Sequence, residues 1–150
     1  MPGTFSNILF HIIFSTKHRE PFITPALRDR LYPFVGGIVR DERGTLLTIG
    51  GMSDHVHLLV ISRTDGTVAD LVRHVKSRSS LWVHEEYKDQ RAFGWQEGYA
   101  VFSVAESGRD EVRRYIENQE EHHRKKSYED EYLAFLKANK VEFDPRYVFD

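Results

Sequence analysis

No cysteine occurs in this chain of 150 residues, so disulfides and thiolate metal sites are excluded, and any bound metal must be held by nitrogen and oxygen donors. Long hydrophobic runs are missing as well. The apolar stretch after Asn7 is broken by His11 and falls far short of the ~20 residues that span a bilayer, and Met1 to Asn7 lacks the basic opening of a secretory leader. A cytoplasmic protein with no membrane partner is the expectation. Nor does one sign of charge dominate: 21 Lys and Arg against 23 Asp and Glu leave a net charge of −2, which argues against a strongly basic, indiscriminate nucleic-acid binder. The basic residues are instead grouped, at Lys17-His18-Arg19, at Arg73, Lys76 and Arg78, at Arg109, Arg113 and Arg114, and at Arg124-Lys125-Lys126. Repeats, low-complexity tracts and a composition-marked linker are absent, and a chain 40% hydrophobic at this length can bury one core, so one domain over residues 1–150 is expected.

Periodicity supplies the elements. Asn7 to Ser15 alternates so that Ile8, Phe10, Ile12 and Phe14 share a face, which predicts a first strand. Thr24-Pro25 is a helix start, with Leu27, Leu31, Phe34 and Val35 at helical spacing and Pro33 and Gly36-Gly37 expected to kink or split the helix. Thr45 to Met52 and His55 to Ser62 predict an antiparallel pair turning at Ser53-Asp54. Thr67 with Asp70 opens a second helix, whose apolar stripe runs from Val68 to Trp82. A fourth strand is predicted over Tyr99 to Val104, then a helix from about Arg109 to Lys126 and a shorter one from Tyr128 to Lys140. The order strand, helix, strand, strand, helix, strand is that of an α+β, ferredoxin-like split βαβ fold, with both helices on one face of an antiparallel sheet and the other face open.

Two short patterns carry chemistry. In Asp54-His55-Val56-His57-Leu58 the two imidazoles lie two positions apart on a strand, so they project from one face while Val56, Leu58 and Val60 point to the other. In Tyr115-Ile116-Glu117-Asn118-Gln119 a phenol and an amide stand one helical turn apart, with His122 at i+7. By composition His-x-His is expected about 0.4 times and Tyr-x-x-x-Gln about 0.14 times in such a chain, so neither stands alone. A helix stripe that gives up Leu and Ile for a phenol, an amide and an imidazole needs a polar partner, and the His55/His57 face is one. Two imidazoles and an amide are neutral donors, so a divalent ion held there would keep its full charge for a phosphodiester. A phenol attacking that phosphorus would retain the ester as phosphotyrosine, which suits strand transfer without a nucleotide cofactor better than hydrolysis.

From His11-Ile12-Ile13-Phe14-Ser15-Thr16-Lys17-His18-Arg19 through Asp54-His55-Val56-His57-Leu58-Leu59 and Phe93-Gly94-Trp95-Gln96-Glu97-Gly98-Tyr99 to Tyr115-Ile116-Glu117-Asn118-Gln119-Glu120-Glu121-His122-His123, the chain resembles the single-tyrosine HUH transposases, the small insertion-sequence enzymes and their REP-associated relatives. That resemblance implies His55, His57 and Gln119 as ligands of Mg²⁺ or Mn²⁺, and Tyr115 as the nucleophile that becomes linked to a DNA 5′-phosphate. It further implies single-stranded DNA with hairpin ends as substrate, and a homodimer in which the tyrosine helix serves either its own site or the partner's. Lys17, Arg19, Arg73, Lys76 and Arg78 are the expected DNA contacts, since the last three lie off the apolar stripe. His122 is an accessory residue on this reading, and Trp95 and Tyr99 are aromatics that could stack on unpaired bases. Two rival functions are a hairpin-binding module without cleavage activity and a metal-dependent hydrolase.

Overall fold

Alternating apolar residues form strands at Leu9–Ser15 (β1), Thr45–Met52 (β2), His55–Ile61 (β3) and Ala100–Val104 (β4) in the computed structural model, which describes Gly3 to Phe149. They pair antiparallel in the order β2-β3-β1-β4, with β1 and β3 at the centre. Helices Pro25–Asp41 (α1) and Val68–Glu86 (α2) connect them, so the fold is the α+β, split-βαβ arrangement that the order of elements predicts. Three further helices follow β4: Arg109–Glu117 (α3), Gln119–His123 (α4) and Tyr128–Ala138 (α5).

Local chemistry sets the helix starts. The Thr24 hydroxyl accepts from the Leu27 amide at 3.2 Å, Thr67 from the Asp70 amide at 3.1 Å and Ser127 from the Asp130 amide at 3.1 Å, each satisfying an amide left without a helical partner. Pro33 and Gly36-Gly37 do not divide α1, contrary to expectation. Pro33 is exposed, while the face of Leu27, Leu31, Val35 and Ile38 is fully packed, and burying each such aliphatic side chain contributes about 1.5–3 kcal/mol. Together these outweigh the single hydrogen bond that proline forfeits.

That packed face lies against Ile12, Phe14, Val56, Leu58 and Val60, joined by Leu71, Val72, Val75 and Val83 of α2. Because β3 alternates, burying Val56, Leu58 and Val60 there commits His55, His57 and Leu59 to the opposite face. This second face is covered, not open as the element order alone implies. Ile116 of α3 sits with Leu9 and Leu59, and Tyr128, Tyr132 and Leu136 of α5 sit with Ile13, Ala100 and Phe102. The histidine pair is thereby roofed by the helices after β4. Among the described residues no helix is long and apolar enough to cross a membrane.

Candidate metal and tyrosine site

The β2–β3 turn builds one side of the site. The Asp54 carbonyl accepts from the Thr16 amide at 2.8 Å and the Ser53 carbonyl from the Ile23 amide at 2.9 Å, so the turn is clamped from both sides. Held there, the Asp54 carboxylate takes a hydrogen bond from His55 Nδ1 at 2.8 Å. The His57 Nδ1 meets His11 Nε2 at 2.8 Å, which gives the β1 histidine a place behind the pair. Both rings thus turn Nε2 inward, with side chains buried.

The helices supply the other side. The Nε2 of His55 lies 2.9 Å from Gln119 Oε1, and the Nε2 of His57 lies 2.9 Å from Glu131 Oε1. The second Glu131 oxygen accepts from the Tyr115 hydroxyl and, at 3.1 Å, from the Gln119 amide nitrogen. The Tyr115 and His57 ring centres are 5.9 Å apart within the same chain. His55, His57 and Glu131 each bring a donor atom to within 4.8 Å of the others, all three buried, so they are able to hold a metal ion. Imidazole nitrogens and carboxylate and amide oxygens make a donor set suited to a divalent ion of the first transition row.

Electrostatics follow the same geometry. Burial pushes the Glu131 carboxyl up, but the His57 hydrogen bond, the neighbouring imidazoles and the Tyr115 hydroxyl outweigh it and hold the group ionised, below the usual carboxylate range. Burial and then Glu131 push the Tyr115 phenol up, so the free site stores a protonated phenol. Burial drives His57 down against the pull of Glu131, with His55 and His123 reinforcing the drop, and burial followed by His57 drives His11 down to about 3. Both stay neutral at pH 7.

Not every residue expected at the site arrives there. A break at Asn118 divides the helix predicted to run unbroken to about Lys126. It places His122 in a stack on the Tyr115 ring at 4.2 Å, with its Nε2 buried and unpartnered, while His123 turns toward the histidine pair. Arg73, Lys76 and Arg78 ride on α2, across the sheet from the cluster. Arg73 pairs with Asp70 at 3.0 Å and Arg78 with Asp41 at 3.0 Å. The Lys76 ammonium donates to the carbonyls of Gln96, Glu97 and Gly98 at 2.8, 3.2 and 2.7 Å, which engages all three of its donors. Trp95 is also engaged, donating to Ser79 Oγ at 2.9 Å. Lys17 is exposed, and Arg19 pairs with Glu129 close to Asp54.

Sequence reasoning missed Glu131 and favoured His122 over His123 as the accessory residue, although each carried a signal. Glu131 stands among Tyr128, Tyr132 and Phe135 on the apolar face of α5, where an unpaired carboxylate would not be tolerated. His123 lies one turn after Gln119, the spacing that aligns two side chains on one helix face.

A ferredoxin-like sheet with this cluster on its covered face is the architecture of a DNA transposase, and the family described as "Transposase IS200 like" matches residues 4–119. The chain belongs to that family. The ISDra2 transposase TnpA of Deinococcus radiodurans is 26% identical over 115 residues, 73% of this chain and 82% of its own length. The transposase for insertion sequence element IS200 of Salmonella typhimurium is 24% identical over 119 residues, 75% and 77% of the two chains. Among solved structures, a Deinococcus radiodurans protein described as a transposase superposes with a TM-score of 0.66 at 25% identity, covering 79% of this chain and 95% of its own. A REP-associated tyrosine transposase solved with a REP hairpin superposes with a TM-score of 0.59 at 11% identity, covering 79% and 70%, which is a likeness of fold.

Proposed function

We propose that this transposase cuts and rejoins single-stranded DNA beside hairpins through a 5′-phosphotyrosine at Tyr115. One observation carries the reading: the Tyr115 hydroxyl, the strand histidines and Gln119 converge on the two oxygens of Glu131 within one chain. His55, His57 and Gln119, with Glu131, are the residues that would hold a divalent ion. When bound, such an ion neutralises charge developing on the phosphate oxygens.

The chain's own groups account for the rest. Tyr115 is partly exposed on the flank of α3, which leaves it within reach of a DNA strand. Its hydroxyl already donates to Glu131 Oε2, so that carboxylate receives the phenol proton as the phenolic oxygen bonds to phosphorus. The P–O3′ bond breaks as that proton passes on to the departing oxygen, which leaves as a 3′-hydroxyl while Glu131 is returned to its carboxylate form. Because the phosphotyrosine ester conserves the bond, a 3′-hydroxyl attacking back restores a phosphodiester and returns the phenol, with no nucleotide cofactor. Lys17 and Arg19, at the end of β1 with Arg19 near Asp54, are the DNA contacts nearest the cluster, and Arg73 and Arg78 on α2 would meet only DNA that extends round to the other face of the sheet. The reaction runs in the cytoplasm. A homodimer would carry two such sites, each with a tyrosine supplied by its own chain.

The relative solved with a REP hairpin supports a hairpin-bearing oligonucleotide as the probe. Incubated with it and Mn²⁺, the protein is expected to form a covalent adduct that survives denaturation and is absent in Tyr115→Phe. An adduct persisting in that variant rejects the assignment. Free 5′-phosphate ends without an adduct favour a hydrolase, and binding without cleavage favours a hairpin-binding module.

A further inference from the structure

Two imidazoles in the cluster have their protons located by partners that can only accept. His55 Nδ1 faces the Asp54 carboxylate at 2.8 Å, and His123 Nδ1 faces the Lys126 carbonyl at 2.8 Å, so in the neutral ring each carries its hydrogen on Nδ1 and a bare lone pair on Nε2. Gln119 turns its nitrogen to Glu131 Oε2, donating at 3.1 Å, and its oxygen to the two rings. The Nε2 lone pairs of His55 and His123 then confront Gln119 Oε1 at 2.9 and 3.0 Å and Glu131 Oε1 at 3.6 and 3.3 Å. Acceptors opposed at these distances repel unless a positive centre lies among them. A cation among them would meet all of these oxygen and nitrogen atoms at once, which no hydrogen bond between two of them does.

The spacing fits a metal instead. An ion about 2.1 Å from each donor sets adjacent donors at right angles about 3.0 Å apart, which is the range of these separations. We propose that the metal site is a five-donor sphere of His55, His57, His123, Gln119 and Glu131, completed by α4 and α5, and built for a first-row transition ion rather than Mg²⁺. Three imidazoles favour the transition ion, while Mg²⁺ keeps several waters and sheds them reluctantly. His123 and Glu131 lie beyond residues 4–119, so the family match does not bear on them. The α5 helix is thereby part of the site, with Tyr128 over His55 at 4.5 Å and Phe135 against Tyr115 at 5.4 Å excluding water around it. This inference rests on the metal-site reading of the histidine pair and extends it.

The test is metal binding by the full chain after chelator treatment, read independently of DNA cleavage. Mn²⁺ titration followed by pulsed electron paramagnetic resonance counts coordinated imidazole nitrogens. Three are expected in the wild type and two in His123→Gln. Mn²⁺ affinity should fall about tenfold or more in His123→Gln and in Glu131→Gln, and Mg²⁺ should compete only when in large excess over Mn²⁺. Two nitrogens in the wild type, with affinity still lowered by His55→Ala, overturn the five-donor sphere and keep the histidine pair as a metal site. Mn²⁺ affinity unchanged in His55→Ala overturns the metal reading altogether. If His123→Gln does not fold, the wild-type nitrogen count decides alone.

Discussion

Gly50 of β2 passes directly beneath Ile116 of α3, so close that a Cβ on Gly50 would overlap the Ile116 carbonyl oxygen. The obstacle is backbone, which cannot rotate aside as a side chain would. Ile116 stands next to Tyr115 and three residues before Gln119, so the glycine sets the height of both above the histidine pair. Gly50→Ala should cost about 1–3 kcal/mol of folding stability, the usual penalty for overpacking. It should also slow adduct formation by far more than that loss implies, since a displacement of about 1 Å can cost on the order of a hundredfold in rate. Denaturant melts and adduct time courses on one preparation separate the effects. Unchanged adduct kinetics in a destabilised Gly50→Ala would show that the contact supports only the fold.

Lys76 was legible as a basic residue off the apolar stripe of α2, and the structure assigns it a different task. Its ammonium ties down the carbonyls of Gln96, Glu97 and Gly98, with Phe14 and Tyr99 rings 5.0 and 5.6 Å away. Lys76→Ala should therefore lower stability by about 1.5–3 kcal/mol, the range for hydrogen bonds to a charged group. The dependence of hairpin affinity on salt should not change. A slope on a log–log plot reduced by about 0.7 would instead make Lys76 a phosphate contact on single-stranded DNA.

Burial of neutral histidines sets an acid limit. His11 has a folded-state value of about 3 against an ordinary 6.5, so below pH 6.5 the unfolded chain binds a proton that the folded chain refuses. Stability is complete above that pH and falls as pH drops toward 3. Between pH 6.5 and 5 the loss from His11 is about 2 kcal/mol, and the lowered His57 adds to it in the same direction. Glu131 and Asp54, both held below their ordinary values, contribute stability that is lost only at more acid pH, outside this window. Urea midpoints of metal-free protein between pH 7 and 5 should thus fall, with a shallower slope in His11→Gln. Equal slopes would place the titrating group elsewhere.

How far the site could be read from the chain depends on which contacts are local. The β3 alternation alone separates His55 and His57 from Val56, Leu58 and Val60, and the Thr24, Thr67 and Asp70 positions fix two helix starts through hydrogen bonds within three residues. The expected association of Tyr115 and Gln119 with the strand pair also follows from the apolar stripe giving out. What sequence spacing does not contain is the break at Asn118. For want of it, His122 rather than His123 was the residue expected to reach inward. Glu131 is a contact 74 positions from His57, and no periodicity encodes such a distance. Its trace was a charge inside an apolar stripe, a pattern to be read as a site whenever no partner is in view.

Asp54 tests whether the His55 ring is held from behind. Its carboxylate accepts from His55 Nδ1 at 2.8 Å, fixing the tautomer that leaves Nε2 free to bind a cation and making the imidazole a better donor. The Asp54 backbone is secured independently by Thr16, so changing the side chain should leave the turn in place. Removing such a partner commonly lowers metal affinity 10–100-fold, and the two substitutions should grade within that range. Asp54→Asn keeps an oxygen for the ring and loses only the charge, so it should weaken Mn²⁺ binding by about tenfold. Asp54→Ala loses both and should approach a hundredfold, with a thermal melt in chelator close to that of the wild type. Equal Mn²⁺ affinity in wild type and Asp54→Ala would mean that the ring is oriented by its packing against Tyr128 and His123 alone.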